Sequence, residues 1–187
     1  ALMDDFSVQH WDVRAAVSGA LGAIGDGKSV DFLVAALSDG DGEVRGAAAD
    51  ALGLLGAPAV EPLMAALTGE ADDTRAAAAR ALGGTADERA VPALMKALGD
   101  EYDVVRRVAA GALGRLGDVR AVEAIIAALR DEAGAVRAAA AEALDQLACA
   151  PDDGDKAAAY WAAKGDWSKC VKLGDDAVEV LMAALTD

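Results

Sequence analysis

The sequence predicts an all-α protein, a right-handed α-solenoid in which helical hairpins stack on one another. Three observations predict this fold. Arginine recurs every 30 or 31 residues after valine or threonine, a second apolar series follows it in each repeat, and the apolar residues are mainly alanine and leucine. Hydrophobic residues make up 55% of the 187 residues but aromatic residues only 4%, so the interior has to be built from helices that approach one another closely.

The first helix of each repeat is marked by its arginine. The five positions are Arg14, Arg45, Arg75, Arg106 and Arg137. A leucine follows each of them within the same helix, and the next residue is glycine in four repeats and Asp145 in the fifth. Alanines crowd the positions between the arginine and the leucine, for example at 76–79. These small residues let neighbouring first helices pack closely.

A second apolar series predicts the second helix of each repeat. In every repeat a valine is followed three and seven positions later by further apolar residues, which is the spacing of one helix face. The series reads Val30-Leu33-Leu37, Val60-Leu63-Leu67, Val91-Leu94-Leu98, Val122-Ile125-Leu129 and Val178-Leu181-Leu185. Glycine and aspartate between the two helices stop the first helix and reverse the chain. Such a hairpin cannot bury its apolar face alone, so its stability has to come from stacking on both neighbours.

The repeat resembles the HEAT-like repeats of the phycobilin-lyase type, V-R-x-x-A-A-x-A-L-G-x-L-G-D-x-x-A-V-x-x-L-x-x-A-L-x-D. Residues 105–131 match this pattern nearly throughout. The resemblance covers the chain apart from a segment at about 148–172, and it implies the solenoid fold. Members of the family serve as adaptors, as subunits of larger assemblies and occasionally as enzymes, so the resemblance leaves the function open.

The chain is expected to form one HEAT-like repeat domain over residues 1–187, with an inserted helical segment at about 148–172. Val178 follows Leu144 by 34 positions, whereas the corresponding separation in the other repeats is 8 or 9 positions. A loop at 151–155 and helices at 156–164 and 166–172 are expected there. The tetrapeptides 1–4 and 184–187 both align with the end of a second helix, so we expect the module to belong to a longer array.

The arginine column predicts an ion-pair ladder between repeats. Lysine replaces arginine at none of the five positions, which favours bidentate pairing with a carboxylate. The predicted partners are aspartates in the turn after the first helix, with Ala57 as a gap in the series. They are Asp26, Asp87, Asp118 and Asp175. Because this pattern follows the fold, we expect the ladder to stabilise the stack and not to bind a ligand.

The inserted segment contains the first candidate partner-binding site, an aromatic cluster beside lysines. Its residues are Tyr160, Trp161, Trp167, Lys164 and Lys169. Tryptophan and tyrosine are enriched at the centres of protein interfaces, so this composition is typical of a binding patch. The alternative is that the tryptophans only pack the extra helices onto the solenoid, with the lysines extended around them.

An acidic stripe is the second candidate site. It carries an acid one position after the valine of four second helices, and Pro92 takes that place in the remaining one. The four acids are Asp31, Glu61, Glu123 and Glu179. They are suited to a basic partner, although acids in a first helical turn also complement the helix dipole without any partner.

Charge and composition exclude several function classes. A net charge of −15 and a pI near 4.3 argue against nucleic acid, since phosphate binding needs a concentrated lysine and arginine surface. No apolar run approaches the roughly 18 residues of a membrane span, so we expect a cytoplasmic protein that binds no membrane. His10 is the only histidine, which is too few for a standard zinc site, a di-iron site such as that of the deoxyhypusine hydroxylases, or a catalytic triad.

The sequence therefore predicts a non-enzymatic scaffold or adaptor that binds another protein, with a basic protein as the expected partner and with no cofactor or metal. Its oligomeric state and the redox state of Cys149 and Cys170 stay open. The resemblance to phycobilin-lyase repeats implies an alternative, a lyase-like subunit or chaperone that binds a linear tetrapyrrole. The aromatic rings of the inserted segment could stack on such a ligand.

Overall fold

A computed structural model describes residues 10–183 of the chain. Among these residues it contains twelve α-helices and no β-strand, so the predicted all-α fold is confirmed. The helices are α1 (Trp11–Ile24), α2 (Val30–Ala36), α3 (Gly42–Leu55), α4 (Val60–Ala66), α5 (Asp72–Leu82), α6 (Val91–Ala97), α7 (Asp103–Leu116), α8 (Val122–Ala128), α9 (Gly134–Gln146), α10 (Gly154–Ala163), α11 (Trp167–Lys172) and α12 (Val178–Ala183). The terminal tetrapeptides that predict a longer array, and Leu185, lie outside the described residues.

The hairpins have the predicted order. A short 3-10 turn precedes each of the second helices α2, α4, α6, α8 and α12. The first helices α1 and α7 end at Gly25 and Gly117, whose φ angles of 73° and 72° are in the left-handed region that glycine adopts without strain. This agrees with the role of glycine as the residue that stops the first helix.

The helices form two layers around one apolar interior. The first helices α1, α3, α5, α7 and α9 pack against one another in series, and each second helix from α2 to α8 packs against the first helix of the next repeat. The buried alanines, valines and leucines make a continuous cluster from α2 to α10. Each hairpin therefore buries its apolar face against its neighbours, as the repeat predicts.

In the first helices, the glycine that follows the recurring leucine lies where two neighbouring first helices approach closely. A Cβ atom on Gly22 would stand 2.6 Å from the Cα atom of Ala51, and one on Gly114 would stand 2.8 Å from the Cα atom of Ala143. No side chain fits at such distances. Gly22 and Gly114 therefore allow close backbone packing between neighbouring repeats.

The arginine ladder is present, but its predicted partners are wrong. The Nε and Nη2 atoms of Arg75 donate to both carboxylate oxygens of Asp100, each at 2.8 Å. Two further arginines make the same bidentate contact with an aspartate 25 residues later, in the turn before the next first helix. These pairs are Arg14 with Asp39 at 2.8 and 2.7 Å, and Arg106 with Asp131 at 2.7 and 2.9 Å.

The aspartates that were expected in the ladder have another role. Asp26, Asp87 and Asp118 cap the 3-10 turns, where each accepts a hydrogen bond from the backbone N–H two residues later at 2.9 to 3.0 Å. Asp175 is exposed in the turn before α12. The physical reason is distance. Asp26, Asp87 and Asp118 each follow the arginine of their repeat by twelve residues and lie beyond the end of the first helix, and twelve helical residues span about 18 Å.

The ladder arginines Arg75 and Arg106 each join two turns. The Nη1 atom of Arg106 donates to the backbone oxygens of Asp100 at 2.9 Å and Glu101 at 3.1 Å, in the turn before its own helix. Its other nitrogens reach Asp131 in the next turn, so the guanidinium links the two turns that flank its own repeat. In the rung before it, the hydrogen bond from Arg75 is the main reason that the pKa of Asp100 lies below its ordinary value.

One rung of the ladder is missing at Arg45. Nine residues after the valine of the second helix the other repeats have an aspartate, whereas Gly69 follows Val60 at this distance. Arg45 pairs instead with Asp73, at 2.8 Å from Nη2 to Oδ2, and the side chain of Asp73 is 59% exposed. An exposed pair of this kind contributes little to stability.

We expect Gly69→Asp to restore the missing rung and to raise the free energy of unfolding by about 1 kcal/mol, since the new carboxylate would accept hydrogen bonds from the guanidinium of Arg45. Thermal unfolding followed by circular dichroism should show a midpoint roughly 2–4 °C higher. Gly69→Ala is the matched control, because it makes the same backbone change without the carboxylate. A midpoint for Gly69→Asp no higher than that of Gly69→Ala would contradict the expected pairing.

Candidate functional site

The inserted segment forms two short helices beside the last repeats. Helices were expected at 156–164 and 166–172, and α10 and α11 lie at Gly154–Ala163 and Trp167–Lys172. Helix α10 packs against α9, α11 and the turn before α12. Three buried residues from these elements, Ala158, Cys170 and Ala177, form a small second apolar cluster. The segment therefore extends the core of the stack.

Asp145 explains why the leucine-glycine pair changes in the fifth repeat. The hydroxyl of Tyr160 and the Nζ atom of Lys164 both donate hydrogen bonds to its carboxylate. Burial, and then the hydrogen bond with Asp145, raise the pKa of Tyr160 to about 12. The same position is therefore glycine where a neighbouring first helix packs closely, and an aspartate that accepts hydrogen bonds where α10 packs.

The three aromatic rings of the predicted cluster do not form one exposed patch. The side chain of Tyr160 is only 2% exposed. Trp161 is partly buried, with its ring edge-on to that of Tyr160 at a centroid distance of 4.6 Å, and the Nζ atom of Lys169 lies 3.4 Å from its centroid. Trp167 is 46% exposed and lines a separate cavity. Trp161 therefore matches the alternative in which the tryptophans pack the inserted helices, because it packs against the apolar interior together with the buried Tyr160.

The cavity beside Trp167 has a volume of about 750 Å³ and a mixed charge. Arg130 forms an ion pair with Asp155 at its wall. Several more acids surround it, and alanines of α10 form its apolar side. The remaining lining residues are Asp131, Glu132, Arg137, Ala159, Ala162, Ala163, Asp175, Asp176, Glu179 and Val180.

The acidic stripe is exposed along the layer of second helices. All four of its side chains, Asp31, Glu61, Glu123 and Glu179, are solvent-accessible. Two of them have a basic neighbour from a later repeat: Glu61 lies 3.8 Å from Arg89, and Glu123 lies 3.1 Å from Lys156. The stripe is therefore partly neutralised within the chain, which reduces its charge below what the sequence indicates.

A groove across the first helices was not predicted from the sequence. It has a volume of about 900 Å³ and runs obliquely from the second half of α3, over α5 and α7, to the first half of α9. Its lining residues are Ala49, Asp50, Gly53, Leu54, Arg80, Gly84, Arg107, Val108, Gly111, Arg115, Ala135, Ala138, Ala139 and Glu142. We call it the first-helix groove. The signal in the sequence was that Arg80, Arg107 and Arg115 stand outside the ladder column.

The arginines of the first-helix groove differ in their pairing. Arg80 makes a bidentate contact with Asp50, at 2.9 Å for both hydrogen bonds. Within residues 10–183, Arg107 and Arg115 form no ion pair with a carboxylate. Burial, and then the charge of Arg80, lower the pKa of Arg115. The groove therefore contains two arginines without an ion pair in the described part of the chain, beside the Arg80–Asp50 pair and one further acid, Glu142.

Within the described part of the chain, no group of histidine, cysteine, aspartate and glutamate side chains is placed to hold a metal ion. None of the helices there is long and apolar enough to cross a membrane. Cys149 and Cys170 are both free, and burial raises the pKa of the Cys170 thiol.

Comparison with known families decides the nature of the repeat. The family described as HEAT repeats matches residues 6–74 and 60–145. The chain belongs to the HEAT-repeat family. None of the curated protein sequences matches it. The resemblance inferred from the Val-Arg and Leu-Gly periods is thereby confirmed, and both matched ranges lie before the inserted segment of the HEAT stack.

Solved structures place the HEAT stack among helical repeat proteins. A chain from the complex of CpcE and CpcF of phycocyanin lyase from Nostoc sp. PCC7120 is similar with a TM-score of 0.63 and 26% identity, over 84% of this chain and 96% of that one. An engineered protein is similar with a TM-score of 0.53 and 25% identity, over 89% of this chain and 50% of that one. A second engineered protein has a TM-score of 0.50 and 22% identity, over 92% and 87% of the two chains, which shows the fold alone.

Proposed function

We propose that the chain is a non-enzymatic scaffold that binds another protein, with the acidic stripe facing a basic region of that partner. The observation that carries the proposal is the stripe itself: Asp31, Glu61, Glu123 and Glu179 are exposed at the same position of four second helices. Stacking holds these helices at fixed spacing before any partner arrives. A preformed surface loses little conformational entropy on binding, so a few contacts suffice for affinity.

The internal pairs of the stripe leave it available to a partner. The carboxylate of Glu61 and the guanidinium of Arg89 are 3.8 Å apart, and both side chains are exposed, as are those of Glu123 and Lys156. Exposed ion pairs contribute between about 0 and 1 kcal/mol. The basic side chains of a partner can therefore displace Arg89 and Lys156 from the stripe at a small cost in free energy.

The similar Nostoc chain supports both this function and a second candidate. It comes from a complex of two proteins, CpcE and CpcF, which favours an assembly role for a related HEAT stack. The same chain belongs to phycocyanin lyase, which favours the alternative of a lyase-like subunit or chaperone for a linear tetrapyrrole. The cavity beside Trp167 is where such a ligand would find an exposed aromatic ring.

The test is affinity capture with the purified, tagged chain, followed by reconstitution of any complex from purified components. We expect Glu61→Lys together with Glu123→Lys to weaken capture about tenfold or more, since two attractive charges become repulsive ones. Glu43→Lys is the matched control, because Glu43 is an exposed acid in the first turn of α3, in the other layer. Incubation with a purified bilin, followed by its absorbance spectrum, tests the second candidate on the same samples.

The outcomes separate the candidates. Loss of capture by the stripe variant but not by Glu43→Lys, with a defined complex from purified components, supports the scaffold. Capture that survives the double charge reversal contradicts the role of the stripe, and the absence of any reconstituted complex contradicts the scaffold function. A shifted bilin spectrum that Trp167→Ala abolishes would favour the lyase-like subunit.

A further inference from the structure

The first-helix groove contains arginines without an ion pair among the described residues, although the protein has an excess of carboxylates with which they could pair. The chain has 32 acidic and 17 basic residues, and its other described arginines, with Arg137 left aside, form ion pairs with carboxylates. Arg107 and Arg115 do not, although both are solvent-accessible and lie on the same helix. Unpaired guanidinium groups that converge on one groove are suited to carboxylates from outside the chain.

The shape of the groove fits a polypeptide. Glycines and alanines form its floor, including Gly53, Gly84 and Gly111, so a bound backbone can lie close to the helices. Leu54 is 74% exposed at its edge, and Val108 is partly buried within it. An apolar anchor beside two arginines without an ion pair is complementary to a segment that carries both acidic and apolar side chains.

We propose that the first-helix groove binds an acidic, partly apolar segment of a partner protein. This inference rests on the proposed scaffold function and adds to it a second surface, in the other helix layer and of the opposite local charge. The chain then joins a basic partner at the acidic stripe to an acidic partner at the groove.

The spacing of the arginines defines the segment further. Arg107 and Arg115 are eight residues apart in α7, about 12 Å along its axis. Two carboxylates four positions apart in an extended peptide are about 13 Å apart. The expected ligand therefore has acidic residues four positions apart with an apolar residue near them. The groove is a poor nucleic-acid site, because two unpaired arginines on a chain of net charge −15 cannot neutralise a polyanion.

The probe for this proposal is a fluorescein-labelled synthetic peptide of about twelve residues, which is longer than the distance of about 12 Å between the two arginines along α7. It has glutamates four positions apart, leucines between them and serine elsewhere, and its control has glutamine in place of every glutamate. Fluorescence anisotropy with the full chain should show binding of the glutamate peptide only. The combined substitution Arg107→Ala and Arg115→Ala should weaken it about tenfold or more, and added salt should weaken it as well.

Two controls make the result specific to the groove. Arg120→Ala removes an exposed arginine outside the groove and should leave the peptide affinity unchanged. The circular dichroism of the double variant should equal that of the parent. If it does not, the single variant Arg115→Lys takes its place, because it keeps the charge and should retain part of the affinity. Stripe variants should bind the peptide normally, so a failure of the scaffold proposal at the stripe is separate from a failure here.

Several results would overturn the proposal. They are equal binding of the glutamate and glutamine peptides, binding that the double variant retains, or no binding of the glutamate peptide at any concentration tested. Competition by a single-stranded oligonucleotide more strongly than by free glutamate peptide would assign the groove to nucleic acid. A dimer of the chain that Arg107→Ala and Arg115→Ala disperse would assign it to a second copy.

Discussion

Replacing Arg106 by alanine is expected to lower the free energy of unfolding by about 3 kcal/mol, a loss of roughly 6–12 °C in the unfolding midpoint. The side chains of Arg106 and Asp131 are 9% and 11% exposed, and two hydrogen bonds join them in a bidentate contact. The substitution leaves Asp131 without its counterion and the backbone oxygens of Asp100 and Glu101 without their donor. Thermal and urea unfolding followed by circular dichroism measure the change.

The neighbouring residue provides the control for this result. Arg107 is exposed and lies next to Arg106 in the same helix, so Arg107→Ala should change the stability by no more than about 0.5 kcal/mol. Equal stabilities of the two variants would show that the ladder contributes nothing. Such a result would leave the alanine and leucine interior as the sole source of stacking energy.

The pH dependence gives an independent check on the same rung. Burial raises the pKa of Asp131, but the hydrogen bonds from Arg106 and from the backbone N–H of Ala133 outweigh it, so the pKa lies below its ordinary value. A lowered pKa in the folded state means that the unfolded chain takes up the proton first. The contribution of the rung is therefore complete above about pH 4 and is lost as the pH falls further. The stability difference between the parent and Arg106→Ala should shrink in that range.

The repeat architecture could be predicted because it follows from local patterns. The apolar spacing of each helix and the glycines that end it are set by short-range geometry, and their recurrence identifies the stack. The partners of the ladder were predicted wrongly because the prediction relied only on the position of Asp26 and Asp118 in the turn after a first helix. The true partners lie 25 residues after Arg14, Arg75 and Arg106, an interval that the sequence contains.

The candidate sites depended on packing that the sequence does not specify. Tyr160 is buried, and its hydroxyl donates a hydrogen bond to Asp145; the change from glycine to Asp145 was the available signal. The acids of the stripe lie on exposed second-helix positions, and they could be found in the sequence because one residue per repeat defines the stripe. The first-helix groove needed coordinates, because its lining comes from four helices of successive repeats, although Arg107 and Arg115 lie on the same helix.

Substituting alanine for Gly114 is expected to destabilise the stack by about 2 kcal/mol, although alanine is the better helix former. The added Cβ atom would stand 2.8 Å from the Cα atom and 2.9 Å from the Cβ atom of Ala143 in the next first helix. Backbone cannot move aside as a flexible side chain can, so α7 and α9 have to separate. Separation exposes the apolar surface that joins the two repeats, and the effect is measured by urea unfolding.

The same substitution elsewhere in the stack should have the opposite sign. A Cβ atom on Gly46, in the interior of α3, would meet no atom within 4 Å. Gly46→Ala should therefore stabilise the protein by about 0.5–1 kcal/mol through helix propensity alone. If both variants gained stability, the close approach of the first helices at Gly114 would not exist, and neighbouring repeats would be held together by their side chains only. A loss at Gly114 with a gain at Gly46 would assign the difference to backbone contact between first helices, since the chemical change is identical.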